Sequence, residues 1–241
     1  MYLTSYNNID FDFTRNGERL ILRRLAEFSP RTVFDVGANV GDWSIMASDA
    51  MPTATVHGFE IAPPTHAAFV RSVRGHDRIV PHDYGLSNKE GEVEVAYFPN
   101  ASTVTTTIME NEVFSDGKEV IRVPVKTGDD VCADLGIGEI FLLKIDVEGA
   151  EHFVLDGFKN MLSQGKIDVI QFEYGMVSIY SGFFLKDMYA LLEQYGFAIG
   201  RLYRNGVEFK DYSPVEDEDL TGPNYIACRK DRSELLNALS V

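Results

Sequence analysis

TVFDVGANVGDWSIMASDAM, residues 32–51, sets the reading of this chain. Residues 32–37 are rich in β-branched and apolar types, glycines follow at 37 and 41, and Trp43, Ile45, Met46 and Ala47 then recur at helical spacing. The pattern predicts a strand, a glycine turn and a helix. The alternation continues with ATVHGFE (54–60) as a strand, 63–74 as a helix opened by two prolines, and DRIVPHDYG (77–85) as a strand. EIFLLKIDV (139–147) is a strand leading into a helix over 150–163, followed by DVIQFEY (168–174), a helix over 185–195, FAIGRLY (197–203) and NYIACRK (224–230). Strands separated by helices predict an α/β, mostly parallel sheet covered on both faces.

Between residues 88 and 125 the period shortens to two, in EVEVAYF (92–98) and EVIRVPV (119–125). This predicts a β-hairpin insertion with a Thr-rich loop, Thr103 to Thr107, of the kind that often covers active sites. Residues 1–30 read as a helical lead-in, with Thr14 or Asn16 capping a helix over 18–28, and residues 31–241 as a single domain. The run EDED at 216–219 reads as a solvated loop or, alternatively, as part of the acceptor site.

At 241 residues, 45% hydrophobic and 24% charged, the chain is neither disordered, collagenous nor coiled coil. Its 22 Lys and Arg against 37 Asp and Glu leave a net charge of −15, which argues against a nucleic-acid partner. Cys132 and Cys228 lack the short spacing of a metal or redox pair, and the five histidines offer no ligand spacing. The first residues lack a basic-then-apolar leader, and no run approaches the ~18 apolar residues of a membrane span. These features predict a soluble, cytoplasmic protein without an integral membrane segment.

The turn is G-x-N-x-G, through Gly37, Asn39 and Gly41, whose two glycines let the backbone pass close to a ligand, rather than the G-x-G-x-x-G of a phosphate cradle. Glu60 ends the second strand, where a carboxylate can accept both hydroxyls of a ribose, as NAD and S-adenosylmethionine would each require. Asp35, just before the glycines, favours the cationic sulfonium cofactor, because a pyrophosphate would be repelled.

VFDVGANVGDWS (33–44), GFE (58–60), LSNKEGEVEV (86–95), LLKIDVEGAEHFVLDGF (142–158) and IQFEYG (170–175) together resemble the FkbM family of S-adenosylmethionine-dependent methyltransferases, over about residues 33–175. The resemblance implies a Rossmann-like class I methyltransferase fold with seven strands in the order 3-2-1-4-5-7-6, the seventh antiparallel. It also implies O-methylation of a small-molecule or sugar hydroxyl, releasing S-adenosylhomocysteine.

At strand spacing Lys144, Asp146 and Glu148 share one side of the chain leading to the carboxyl edge, and Glu173 ends the neighbouring strand. Asp146 is the first candidate for the base that receives the acceptor proton, and also faces the cofactor. Lys144 either pairs with Asp146 or Glu173 or takes part in the chemistry; His152 is a second proton acceptor or a structural histidine. Glu148 and Glu151 read as complements to the following helix N-terminus. Asp83 is placed for an adenine amine and Tyr84 or Leu86 for its ring, unless Asp83 only stabilises a turn, and Trp43 either contacts the methionine portion or packs on the sheet. Tyr174, Tyr180, Phe183 and Phe184 either frame an acceptor groove or belong to the core. Asp146 and Glu173 could hold Mg²⁺, but Lys144 already supplies a cation, which favours a metal-free site. The expected acceptor is a small molecule or saccharide conjugate, and a homodimer is possible. Ribose 2′-O-methylation of RNA and a non-catalytic binding module are the competing readings.

Overall fold

The computed structural model describes residues 10, 12–99, 105–106, 117–222 and 224–241. In chain order the main sheet is built from β1 (Thr32–Val36), β2 (Thr55–Phe59), β3 (Ile79–His82), β7 (Ile140–Ile145), β8 (Ile167–Glu173), β9 (Phe197–Tyr203), β10 (Gly206–Phe209) and β11 (Asn224–Arg229). A second sheet holds β4 (Gly85–Leu86), β5 (Gly91–Tyr97) and β6 (Glu119–Lys126). The helices used below are α1 (Glu18–Ala26), α2 (Asp42–Ala50), α3 (Pro63–Ser72), α4 (Gly128–Leu135), α5 (Glu151–Asp156), α6 (Lys159–Ser163), α7 (Ser178–Ser181), α8 (Leu185–Glu193), α9 (Pro214–Asp217) and α10 (Ser233–Leu239).

The main sheet runs β10-β9-β11-β8-β7-β1-β2-β3. Counted along the seven expected strands this is the order 3-2-1-4-5-7-6, and β11 is antiparallel to both of its neighbours. The eighth strand, β10, extends the edge as an antiparallel hairpin with β9. Asn205-Gly206 is its turn signal, and the short Val207-Glu208-Phe209 alternation after it was too brief to stand out as a strand.

Both faces of the sheet are buried because its strands alternate apolar side chains between two cores. Phe34, Leu143, Ile145, Ile170 and Phe172 face α4, α5, α6 and α8, whereas Val33, Val56, Leu142, Val169 and Ile226 face α1, α2, α3 and α10. Cys132 and Cys228 are buried free thiols in these two cores. The order reverses between β1 and β7, and open α/β sheets bind ligands beyond the carboxyl ends of their strands at such a switch point.

Three local expectations are revised. The strand expected over 77–85 ends at His82, and Gly85-Leu86 pairs instead with β6 of the insertion. The helix expected over 150–163 breaks at Gly157-Phe158, where the fully buried Phe158 ring turns into the core. The lead-in helix starts at Glu18; Asn16 Oδ1 accepts its amide proton, while Thr14 bonds to Asp12. The β5–β6 hairpin is present as expected, although most of Thr103 to Thr107 lies outside the described residues, apart from Thr105 and Thr106.

Candidate active site

The β1–α2 turn is fixed by close packing. Gly37 (φ +83) leaves so little space that a Cβ there would lie 1.8 Å from the Asp146 carbonyl oxygen. Gly41 (φ +92) lies under the Phe69 ring, 2.4 Å from where its Cβ would be. The expectation that Gly41 gives way to a ligand is therefore corrected: it gives way to α3, and it does not line the cleft. Asn39 (φ +48) does line it, and its Oδ1 is buried without a hydrogen-bond partner among the described residues. Glu60 accepts from the amides of Asn39 (2.9 Å) and Ala62 (2.8 Å), so it braces the turn while facing the cleft.

Beneath the turn lies a buried polar row on the α1–α2 face of the sheet. Asp35 and Lys144 are register partners on β1 and β7, and Lys144 with Gln171 on β7 and β8. Lys144 Nζ lies 3.1 Å from Asp35 and 3.2 Å from Asp146, and Ser44 Oγ donates to Asp35 at 2.6 Å. Burial works against the ammonium, yet Asp146, Asp35 and Glu18 hold it above its ordinary range. Asp35 is 0% and Lys144 5% exposed, and neither lines the cleft. Both are therefore corrected from ligand or proton-transfer roles to a buried ion pair; Lys144 reaches Asp146 and Asp35 rather than Glu173.

Trp43 belongs to the same buried layer. Its Nε1 donates to Glu18 at 2.8 Å, and its ring faces Lys144 Nζ at 5.5 Å, which places it away from the cleft. Glu18 also accepts from Asn16 (2.7 Å), Gln171 (2.6 Å) and Asn224 (3.1 Å), so the lead-in helix supplies a carboxylate to the network under the site. Sequence reasoning missed Glu18, because its four partners come from as far along the chain as residue 224.

Asp146, Glu148 and Glu173 meet at the ends of β7 and β8, with carboxylate oxygens within 4.8 Å of one another. Lys144 offsets the burial of Asp146 and keeps it ionised. Glu173, buried beside that charge, is held well above the usual carboxylate range and shares a proton with Asp146. Glu148 has φ +54, unusual for a non-glycine residue, and its carbonyl accepts from Thr106 Oγ1 of the insertion at 2.6 Å. The structure thus brings Glu148 into the cleft, beyond the helix-terminus role expected for it. Glu151 instead turns back to accept from the amides of Val147 (3.2 Å) and Gly149 (3.1 Å), bracing that turn.

These groups open on a cleft of about 940 Å³, ample for a nucleoside cofactor with an acceptor. It runs along the carboxyl edge from Glu60 after β2, past Gly37 and Asp146, to Gly175 after β8 and Gly222 before β11. Its lining carries Glu60, Asp146, Glu148, Glu151, Glu173 and Asp219, but no Lys, Arg or His among the described residues.

Other expected residues lie elsewhere. Asp83 is exposed and Tyr84 meets His82 at 3.3 Å; of the residues expected at the adenine, Leu86 lines the cleft, between Gly85 and Ser87. The His152 ring stacks on Phe183 at 4.6 Å, outside the cleft, so a proton-accepting role is corrected to packing. Of the four aromatics, Tyr180 alone lines it; Tyr174 is buried, with its hydroxyl on Glu218. The EDED run is also corrected: Glu216 and Asp217 pair with Lys210, Glu218 accepts from Tyr174, Tyr212 and the Lys186 amide, and Asp219 pairs with Arg201. Asp217 is buried and Glu218 and Asp219 are half-buried in these contacts, whereas Glu216 stays exposed.

Burial pushes the Glu60 and Glu151 carboxyls up to about 7 and Glu148 to about 8. Such carboxyls hold protons in the folded state that the unfolded chain has released, so stability falls as pH rises from about 4.5 through those values. Half-buried His57, His82 and His152 are shifted down and act oppositely below about pH 6.5. Above that point the carboxyls act alone, and the ligand-free protein is expected to lose about 3 kcal/mol between about pH 6.5 and 8.5. Calorimetric melting across that range measures it; an unchanged midpoint refutes the protonated assignment.

A sheet in this strand order, with its glycine turn and acidic cleft at the switch point, defines the class I S-adenosylmethionine methyltransferase fold. The Methyltransferase FkbM domain matches residues 35–199, and the chain belongs to that family of methyltransferases. It is 31% identical over 170 residues to the 31-O-demethyl-FK506 methyltransferase FkbM of Streptomyces tacrolimicus, covering 59% of this chain and 65% of that protein. It is 29% identical over 184 residues to the hexuronic acid methyltransferase AglP of Haloferax volcanii, covering 74% of this chain and 69% of that protein. The crystal structure of methyltransferase FkbM from Methylobacillus flagellatus shares the fold at a TM-score of 0.53 and 15% identity, over 82% of this chain and 44% of that one. Among the described residues no helix is long and apolar enough to cross a membrane.

Proposed function

We propose that this chain transfers the methyl group of S-adenosylmethionine to a hydroxyl of a sugar or similar polyol. The observation that carries this reading is the cleft lining: six acidic side chains, Asp146 and Asp219 ionised among them, without Lys, Arg or His among the described residues, beside the unpartnered Asn39 Oδ1. A cofactor with a sulfonium and an ammonium group suits that lining, whereas a pyrophosphate or an RNA backbone does not. Each Glu60 oxygen accepts one backbone amide and keeps a lone pair for a ribose hydroxyl. Two relatives point to hydroxylated acceptors by name, a hexuronic acid in one and 31-O-demethyl-FK506 in the other.

When bound, the cofactor supplies an electrophilic methyl group. Displacement at such a centre needs mainly alignment, with a group to hold the hydroxyl and receive its proton. Asp146, ionised by Lys144 and 38% exposed in its side chain, is positioned for that task at the centre of the cleft. Glu60→Ala is expected to weaken S-adenosylhomocysteine binding by about 10- to 150-fold, the scale of hydrogen bonds to a charged group. Calorimetry measures this, and unchanged affinity in a folded variant removes the ribose assignment.

The reaction is read as metal-free, because Lys144, 3.2 Å from Asp146, already supplies a cation to the carboxylates that could otherwise ligate Mg²⁺. Turnover is expected to survive exhaustive EDTA treatment; loss restored by Mg²⁺ would overturn that reading. S-adenosylhomocysteine release across a panel of glycosides, RNA and protein tests the acceptor class, and release confined to RNA or protein would refute it.

A further inference from the structure

The segment from 210 to 222, between β10 and β11, is built as a rigid strap. Lys210 pairs with Asp217 at 2.8 Å, and Asp217 accepts from the Ser213 amide at 2.7 Å. Glu218 ties the strap to Tyr174, after β8, and to the Lys186 amide at the start of α8. Arg201 on β9, 7% exposed, donates to Asp219 (2.7 Å), Thr221 Oγ1 (2.9 Å) and the Gly222 carbonyl (2.7 Å). The strap therefore reaches the cleft in one fixed shape and presents Asp219, Leu220 and Thr221 to it.

This end of the cleft lies over β8 and β11, across β1 and β7 from Glu60, so the strap faces the half that a cofactor anchored at Glu60 leaves open. Met176, Val177 and Tyr180 form the adjoining wall. An apolar wall opposite a carboxylate and a hydroxyl matches a ring with one apolar face and neighbouring hydroxyls. The Arg201 guanidinium turns to the strap, and among the described residues no Lys, Arg or His lines the cleft to meet an acceptor carboxylate.

We propose that Asp219, held by Arg201, is the specificity-determining residue of the acceptor site, selecting an uncharged polyol by accepting from its hydroxyls and rejecting a sugar carboxylate. This rests on the methyltransferase reading above and departs from the hexuronic acid in the name of one relative. Arg201 on one oxygen and the Thr221 amide on the other (2.9 Å) keep Asp219 ionised, and the lone pairs left to it are acceptors that a hydroxyl donor satisfies and a carboxylate does not.

The experiment is saturation-transfer NMR and calorimetry on the protein loaded with S-adenosylhomocysteine, using methyl glycosides of neutral hexoses and 6-deoxyhexoses against methyl glucuronoside and galacturonoside. Neutral glycosides are expected to bind about tenfold or more tightly than uronides, and Asp219→Asn to reduce that ratio by about tenfold. Asp219→Glu, which retains the charge and the Arg201 pairing, is expected to keep the preference and serves if Asp219→Asn fails to fold. Equal or tighter uronide binding, a ratio unmoved by Asp219→Asn, or no glycoside binding at all overturns the proposal. Failure of the wild-type protein to bind S-adenosylhomocysteine instead overturns the methyltransferase reading beneath it.

Discussion

Lys144→Met is expected to destabilise the protein by about 3–5 kcal/mol, the cost of leaving a buried charge without its partner. Asp35 is fully enclosed, and Lys144 is the cation within ion-pair distance of it, with Ser44 as its hydroxyl donor. For a chain of this length the loss corresponds to a drop in melting temperature of about 10 °C or more. Asp35→Asn in the same background should recover part of it, because no buried carboxylate is then orphaned. Calorimetry on the two variants decides the matter: a single variant within about 1 kcal/mol of wild type would mean that the pair is dispensable. The same measurement separates the structural role of Lys144 from a proton-transfer role, which would reduce turnover without lowering stability.

Asp146→Asn is expected to lower turnover by about 10²-fold or more, the usual contribution of a positioned proton acceptor. The substitution is isosteric and the side chain is 38% exposed, so the fold should tolerate it, and S-adenosylhomocysteine binding should persist within a few-fold. The amide also breaks the Asp146–Lys144 pair at 3.2 Å and removes the acceptor of the Glu173 proton, so the pH dependence of turnover should shift with it. Turnover within a few-fold of wild type would assign the proton to Glu148, which lies within the same group of carboxylates. Loss of cofactor affinity equal to the loss of turnover would instead assign Asp146 to binding alone.

The corrections at the site share one cause. Asp35, Trp43 and Lys144 stand within a few residues of cleft-lining positions, and strand periodicity gives the face on which each side chain lies but not its depth. Depth depends on α1, which brings Glu18 over this face and closes it off from solvent. His152 and Tyr84 similarly lie next to the cleft in sequence but turn toward Phe183 and His82. Asp219 lies in a run whose sequence supports two readings, a solvated loop or part of the acceptor site. An acidic run is ordinarily solvated, and only the folding of β9 beside it supplies the buried Arg201 that fixes it.

The sequence by itself determined the strand–turn–helix alternation, the order-setting β1 and β7 segments, the insertion hairpin, the need for glycine at 37 and 41, and the placement of Glu60, Asp146 and Glu173 at strand ends. Each is a local property, because side-chain period, backbone sterics and the direction of a strand are set by neighbouring residues. Tertiary structure alone decided which charges are buried and which face the cleft, that Gly41 makes room for Phe69, that Glu148 joins Asp146 and Glu173, and that residues 210–222 form a bonded strap. Those outcomes depend on pairs separated by up to about two hundred residues, such as Glu18 with Asn224, whose proximity exists only after the sheet has assembled.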